Sequence, residues 1–129
     1  MQGERASKKG KLVLVTLIAY KLTDLFFRVK IQEIAKRNGT QFVEVSDLYS
    51  LKDSIIKTSG RILIVFDLMR VESELDALSK TTAVSTTMIA FYPHLEKEAA
   101  ARARKAGISD VVPRSALESK LDSVLVSQG

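Results

Sequence analysis

The chain has 129 residues, of which 46% are apolar and 27% are charged, and it carries a net charge of +5. This size and composition predict one globular domain with an ordinary core and exclude an intrinsically disordered chain. The sequence has no cysteine and one histidine. Disulfides, thiolate metal sites and multi-histidine metal sites are therefore excluded, and a reducing compartment is expected.

Much of the positive charge lies in the first residues, where "ERASKKGK" precedes the apolar run "LVLVTLIAY". This order resembles a signal peptide, but the apolar run is too short to span a membrane and no clean small-residue cleavage site follows it. We interpret residues 1–10 as a flexible basic tail and residues 11–129 as the domain. The protein is expected to be cytoplasmic, without a membrane partner.

Five short apolar runs alternate with five amphipathic segments along the domain. The predicted strands cover residues 11–19, 41–45, 61–67, 87–92 and 110–113, and the predicted helices cover residues 24–38, 51–59, 72–80, 95–106 and 116–126. The strands are rich in Val, Ile and Leu and mostly lack polar alternation, as is typical of strands covered on both faces. This pattern predicts a single doubly wound α/β domain, with a five-stranded parallel sheet in the order 2-1-3-4-5 and helices on both faces.

The residues that end the strands are the candidates for chemistry, because ligands of doubly wound sheets bind beyond the carboxyl ends of the strands. The third strand ends on an acid, since the apolar residues 62–66 run directly into Asp67. The candidates after strands one, four and five are Thr23, Asp24, Tyr92, Pro93, His94, Pro113, Arg114 and Ser115. A lone histidine after a proline is more typical of an exposed loop than of a catalyst.

The segments "FDLM" and "KAGISDVVPRS" resemble motifs of the receiver domain of two-component response regulators, and the order of elements is similar over about residues 11–126. In that family an aspartate that ends the third strand accepts a phosphoryl group, and acids after the first strand help to hold magnesium. The resemblance implies that Asp67 is the phosphoacceptor equivalent, that Asp24 and Asp67 would hold magnesium, and that Tyr92 and Arg114 are the switch equivalents. Magnesium is the one cofactor implied.

Several positions depart from the receiver pattern. The family's acidic pair is here Thr23 followed by a single acid, its small hydroxyl after strand four is Tyr92, its lysine is Arg114, and its aromatic switch residue in strand five is Val111. Losing one of two acids weakens magnesium binding, and arginine differs from lysine in length and geometry. We therefore expect a degenerate receiver without enzymatic activity, whose aspartyl-phosphorylation switch is lost or weakened.

Alternatives stay open for both acids. If the first strand is taken at its apolar core, the acidic pair falls on Thr16 and Leu17, and no acid supports a metal there. Asp24 is equally suited to cap the amino end of the following helix. For Asp67 the structural alternative is an ion pair with Arg114, because arginine keeps its charge and binds a carboxylate in two places.

Receivers usually meet their partners through the fourth helix, the fifth strand and the fifth helix, which here means residues 95–126, from Leu95 to Val126. We expect a stand-alone signalling module that acts on a separate protein through this surface, and the resemblance leaves a homodimer through it open. The alternatives are an active, magnesium-dependent phosphoacceptor and, with less support, a nucleic-acid-binding protein that uses the basic tail. A nucleotide-binding enzyme is disfavoured, because the sequence has neither G-x-G-x-x-G nor a P-loop motif.

Overall fold

The computed structural model describes residues 15–81 and 86–128, and within them a five-stranded sheet has the order β2-β1-β3-β4-β5. The strands are β1 (Val15–Tyr20), β2 (Gln41–Val45), β3 (Arg61–Asp67), β4 (Thr86–Tyr92) and β5 (Asp110–Pro113). Each neighbouring pair is parallel. The predicted fold class and strand order are confirmed. The predicted tail over residues 1–10, and residues 11–14 of the first strand, lie outside the described residues.

The helices follow the strands as the alternation predicts, with one exception. They are α1 (Leu25–Arg37), α2 (Leu48–Lys57), α3 (Leu68–Val71), α4 (Leu75–Ser79), α5 (Lys97–Lys105) and α6 (Leu117–Gln128), with 3-10 turns at Glu72–Glu74 and Arg114–Ala116. The predicted single helix over residues 72–80 is wrong. The chain enters α3 directly after β3, because the carboxylate of Asp67 caps α3, and a 3-10 turn then separates α3 from α4.

The sheet is covered on both faces, and alternate residues of each strand belong to different core layers. One layer packs the sheet against α1 and α6, through Ile31 and Ile34 of α1 and Leu117 and Leu121 of α6. The other layer packs it against α2, α3, α4 and α5. Burying each large aliphatic side chain contributes about 1.5–3 kcal/mol. The two layers therefore fix α1 and α6 on the same side of the sheet.

The connection from α5 to β5 contains a backbone conformation that favours glycine. Gly107 has a φ of +110°, and a β-carbon at this position would meet the β-carbon of Ser79 at 3.4 Å. This glycine ends α5 and lets the chain turn directly into the last strand. Across the described ranges, we find no helix whose length and apolar character would let it cross a bilayer.

Candidate functional site

Asp67 is the last residue of β3 and is only 6% exposed. Its Oδ1 accepts a hydrogen bond from the backbone N–H of Met69 at 3.0 Å, which caps α3. Its Oδ2 accepts a hydrogen bond from Nη2 of Arg114 at 3.3 Å. Both carboxylate oxygens are therefore engaged, one by the start of a helix and the other by a cation.

Arg114 follows β5 directly at the carboxyl edge of the sheet and reaches past β4, which lies between β3 and β5, to Asp67. Its guanidinium carbon lies 5.4 Å from the centre of the Phe27 ring, and Phe27 in turn packs on Phe91 with ring centres 4.9 Å apart. The cation is thus held between a carboxylate and an aromatic face. The side chain of Arg114 is still 40% exposed, so water reaches the pair. The ion pair predicted for Asp67 and Arg114 is confirmed.

Asp24 lies at the amino end of α1 and is exposed. Its carboxylate accepts hydrogen bonds from the backbone N–H groups of Phe26 at 2.9 Å and Phe27 at 3.3 Å. The predicted capping role is therefore confirmed. Among residues 15–81 and 86–128, no group of three or more acidic or histidine side chains is placed to hold a metal ion. Magnesium binding by Asp24 and Asp67 stays a prediction.

Tyr92 ends β4 but packs in the core layer that faces α2 to α5. Its neighbour Phe91 is in register with Asp67 and belongs to the opposite layer, beside Phe27. Because successive side chains of a strand point to opposite faces, it is Phe91 and not Tyr92 that supports Phe27, the ring on which Arg114 packs. A switch role for Tyr92 stays a prediction.

A second polar cluster at the carboxyl edge was not predicted from the sequence. The hydroxyl of Tyr20 and the ammonium of Lys21, both at the end of β1, donate hydrogen bonds to the carboxylate of Glu74 in the 3-10 turn after α3. Lys21 has a φ of +53°, an uncommon conformation for a residue with a side chain. The sequence gives little sign of this cluster, because Glu74 is 54 residues from Tyr20 and 53 residues from Lys21.

The environment of this second cluster changes two pKa values. Burial raises the pKa of the Tyr20 hydroxyl above its usual range, and the hydrogen bond to Glu74 raises it further. Burial opposes ionisation of Glu74, but the hydrogen bonds from Lys21 and Tyr20 outweigh it and leave the pKa of Glu74 below its usual value. The cluster therefore consists of a neutral tyrosine, a cationic lysine and an anionic glutamate at neutral pH.

The chemistry open to Asp67 depends on its two hydrogen bonds. A carboxylate attacks phosphorus only where the phosphoryl oxygens are neutralised by cations. Arg114 supplies positive charge beside Asp67, but it also occupies one carboxylate oxygen, while Met69 N–H occupies the other. Each oxygen accepts a single hydrogen bond and keeps a second lone pair, so these bonds orient the acid without blocking it.

Comparison with known proteins finds no matching protein family, no matching curated protein and no matching solved structure. The functional interpretation of the chain therefore depends on its own residues and their geometry.

Proposed function

We propose that this protein is a receiver-like signalling module that acts through a protein partner and whose aspartyl-phosphorylation switch is lost or weakened. The ion pair between Asp67 and Arg114 supports this proposal more than any other observation. In a switching receiver, magnesium and phosphate alter the charge at the acid. Here the guanidinium of Arg114 supplies positive charge to that acid in place of a metal ion.

The proposed role is that of an interaction protein rather than an enzyme, and we place it in the cytoplasm because the sequence has no cysteine. Neither a membrane nor a nucleic acid is proposed as a partner. The proposed partner surface covers residues 95–126, which include α5, β5 and most of α6. Leu95 and Val126, at the two ends of this range, are 80% and 71% exposed. Both side chains are open to contact with another protein, as are the equally exposed Tyr49 and Ile56 of α2.

The proposal is tested by adding magnesium and beryllofluoride, a mimic of the phosphoryl group, and recording amide chemical shifts by NMR. We expect the amides of residues 66–70 and 114–116 to stay unchanged in the wild-type protein. The Asp76→Asn variant, which alters an exposed aspartate of α4, is the matched control and should behave as the wild type does.

A chemical-shift change that occurs in the wild type and in Asp76→Asn, but disappears in Asp67→Asn, would show that the phosphorylation switch is retained and would contradict the proposal. It would establish the second candidate, an active phosphoacceptor that uses Asp67. One observation favours this candidate: the hydrogen bond from Arg114 is long, at 3.3 Å, and its side chain is open to water. Such a contact exchanges more readily than a short, buried ion pair.

The proposed partner surface is tested separately by charge insertion. Leu95→Glu and Val126→Glu should abolish capture of a binding partner, or dissociate a homodimer, without unfolding the domain. Tyr49→Glu and Ile56→Glu, at equally exposed apolar side chains of α2, serve as controls. If only the α2 variants lose binding, the partner surface has been assigned to the wrong helices.

A further inference from the structure

A groove of about 400 Å³ lies between α1 and the start of α6, on the face of the sheet opposite the Glu74 cluster. Its apolar lining comprises Phe27, Ile31 and Ile34 of α1 and Leu117 of α6. Ile31, Ile34 and Leu117 are at most 2% exposed, so the accessible apolar surface is mainly that of the phenylalanine rings. The exposed ring of Phe26 borders its outer side. Its volume is at the lower end of the range found for small-molecule sites, and its lining is mostly apolar, as in such sites.

The groove contains two cations, Lys30 and Arg114, and Lys30 is paired with Glu118, which also lines the groove. A guanidinium has five N–H donors. Within the described residues, the guanidinium of Arg114 makes one hydrogen bond, from Nη2 to Asp67. It is held over the ring of Phe27, which also lines the groove. Arg114 is therefore fixed in position by two partners, and it keeps donors for a further anion.

The remaining charges of the groove do not cancel this cation. Glu118 is the acid in the lining, and its carboxylate is bound by Lys30 at 3.0 Å and by Arg37 at 3.4 Å. These two bonds hold the pKa of Glu118 below its usual value, so the acid stays paired with its cations at neutral pH. The acid of the lining is therefore occupied by its own cations and does not compete for Arg114, whose counter-charge is Asp67 and whose remaining N–H donors are free within the described part of the chain.

We propose that this groove binds a small organic acid, with its carboxylate on the guanidinium of Arg114 and one aromatic or branched aliphatic group against the α1 and α6 side chains. A planar carboxylate matches the fork of a guanidinium in two parallel hydrogen bonds. The volume admits one ring with a short side chain. Inorganic phosphate would use the cation but leave the apolar wall empty.

This proposal goes beyond the signalling role and does not depend on it. The ligand uses free donors of Arg114 and requires neither magnesium nor a reaction at Asp67. A protein that fails to respond to beryllofluoride can therefore still bind the organic acid. Separate titrations with beryllofluoride and with the organic acid distinguish a failure of the proposed function from a failure of this proposal.

The test uses phenylacetate as the probe, with phenylacetamide and inorganic phosphate as comparisons, in NMR titrations of the full chain. We expect phenylacetate to shift the methyl signals of Ile31, Ile34 and Leu117 with a Kd of about 0.1–5 mM, the range open to so small a ligand. Phenylacetamide, which has the same ring without the charge, should bind at least about 10-fold more weakly. Equal binding of the amide, or shifts confined to other methyl groups, would overturn the proposal.

Two variants test the role of the cation. Arg114→Gln should weaken phenylacetate binding at least about 10-fold. Arg114→Lys keeps the charge but loses the planar fork, so its affinity for phenylacetate should lie between those of the wild type and Arg114→Gln. Arg61→Gln removes the same charge at the opposite edge of the sheet and should bind as the wild type does. If Arg114→Gln fails to fold, the comparison of acid and amide on the wild type still decides the question. Absence of any shift at about 10 mM phenylacetate would exclude the site.

Discussion

Asp67 and Arg114 are 47 residues apart in the sequence, yet Oδ2 of Asp67 accepts a hydrogen bond from Nη2 of Arg114 at 3.3 Å. Parallel strands make this contact, because the carboxyl ends of β3 and β5 lie at the same edge of the sheet. The acid is 6% exposed while the side chain of the arginine is 40% exposed. The pair is therefore buried on its acidic side and open to water on its basic side.

The first prediction concerns this pair. Asp67→Asn should leave the domain folded and lower its free energy of unfolding by about 1–3 kcal/mol, because the amide still caps α3 but loses the charged bond to Arg114. Asp67→Ala should cost about 1 kcal/mol more, since it also removes the cap. Urea denaturation followed by circular dichroism measures both changes. A clear gain in stability in Asp67→Asn would mean that the acid is uncompensated in the wild type.

The second prediction concerns acid conditions and Glu74. The folded protein holds the pKa of this carboxyl below 4.5, its ordinary value, so the folded state binds a proton less readily than the unfolded chain. Its contribution to stability is therefore present above about pH 4.5 and is lost as the pH falls through the lower folded pKa. Glu74→Gln should be less stable than the wild type by about 1–3 kcal/mol at neutral pH.

The difference between the wild type and Glu74→Gln should shrink as the pH is lowered towards about pH 3 in urea unfolding experiments. Glu33→Gln, at an exposed glutamate of α1, is the control and should change stability by less than about 0.5 kcal/mol. A difference for Glu74→Gln that stays constant down to pH 3 would show that the charge of this glutamate does not stabilise the fold.

The third prediction concerns alkaline conditions and Tyr20. Burial and the bond to Glu74 raise the pKa of its hydroxyl, so the unfolded chain loses this proton at lower pH than the folded protein does. The stabilising effect of the raised pKa is complete below about pH 10 and is lost as the pH rises above it. Tyr20→Phe should cost about 1 kcal/mol at neutral pH. The cost should diminish above about pH 10 in denaturation curves, whereas a cost that grows there would contradict this assignment.

The fourth prediction separates capping from metal binding at Asp24. Asp24→Ala should lower the free energy of unfolding by about 1 kcal/mol, and Asp24→Asn by only a few tenths, because asparagine is an equally good cap. Both changes should be the same with and without magnesium. If Asp24→Asn instead removes a stabilisation that magnesium provides to the wild type, this acid is a metal ligand as well as a cap.

The fifth prediction compares two glycines with positive φ. Gly107 has a φ of +110° and Ser79 as a close neighbour, whereas Gly39 has a φ of +65° and open space around it. Gly39→Ala should cost about 1 kcal/mol, and Gly107→Ala should cost more, about 2 kcal/mol, because the second conformation is less accessible to side-chain-bearing residues and is also crowded. Thermal unfolding of the two variants gives the comparison, and equal costs would contradict it.

The sheet could be predicted from the sequence because its strands are nearly pure aliphatic runs. The bounds of β2, β3 and β5 agree with the predicted ranges, and β4 begins one residue earlier than predicted. The pairing of Asp67 with Arg114 was one of the alternatives left open for this acid, and it depended on the parallel strands, whose carboxyl ends lie at one edge, and on the position of Arg114 directly after the last strand. Neither result required knowledge of side-chain packing.

The segment after β3 could not be predicted in the same way, although one indication was present. Asp67 ends the strand and also caps α3, so one residue serves two elements and no loop separates them. An acid immediately before "LMRV" is a pattern that begins helices, but the strong strand before it favoured a loop. The contacts of Glu74 with the end of β1 depend on tertiary packing, which short-range patterns do not contain.

The position of β5 at the end of the sheet has a consequence for fragments of the chain. β2 and β3 pair with β1, β4 pairs with β3, and β5 pairs with β4 alone. A fragment that ends before β5 keeps the cap that Asp67 provides to α3 but lacks the guanidinium of Arg114. Removal of this edge strand therefore also removes the counter-charge of a buried acid two strands away.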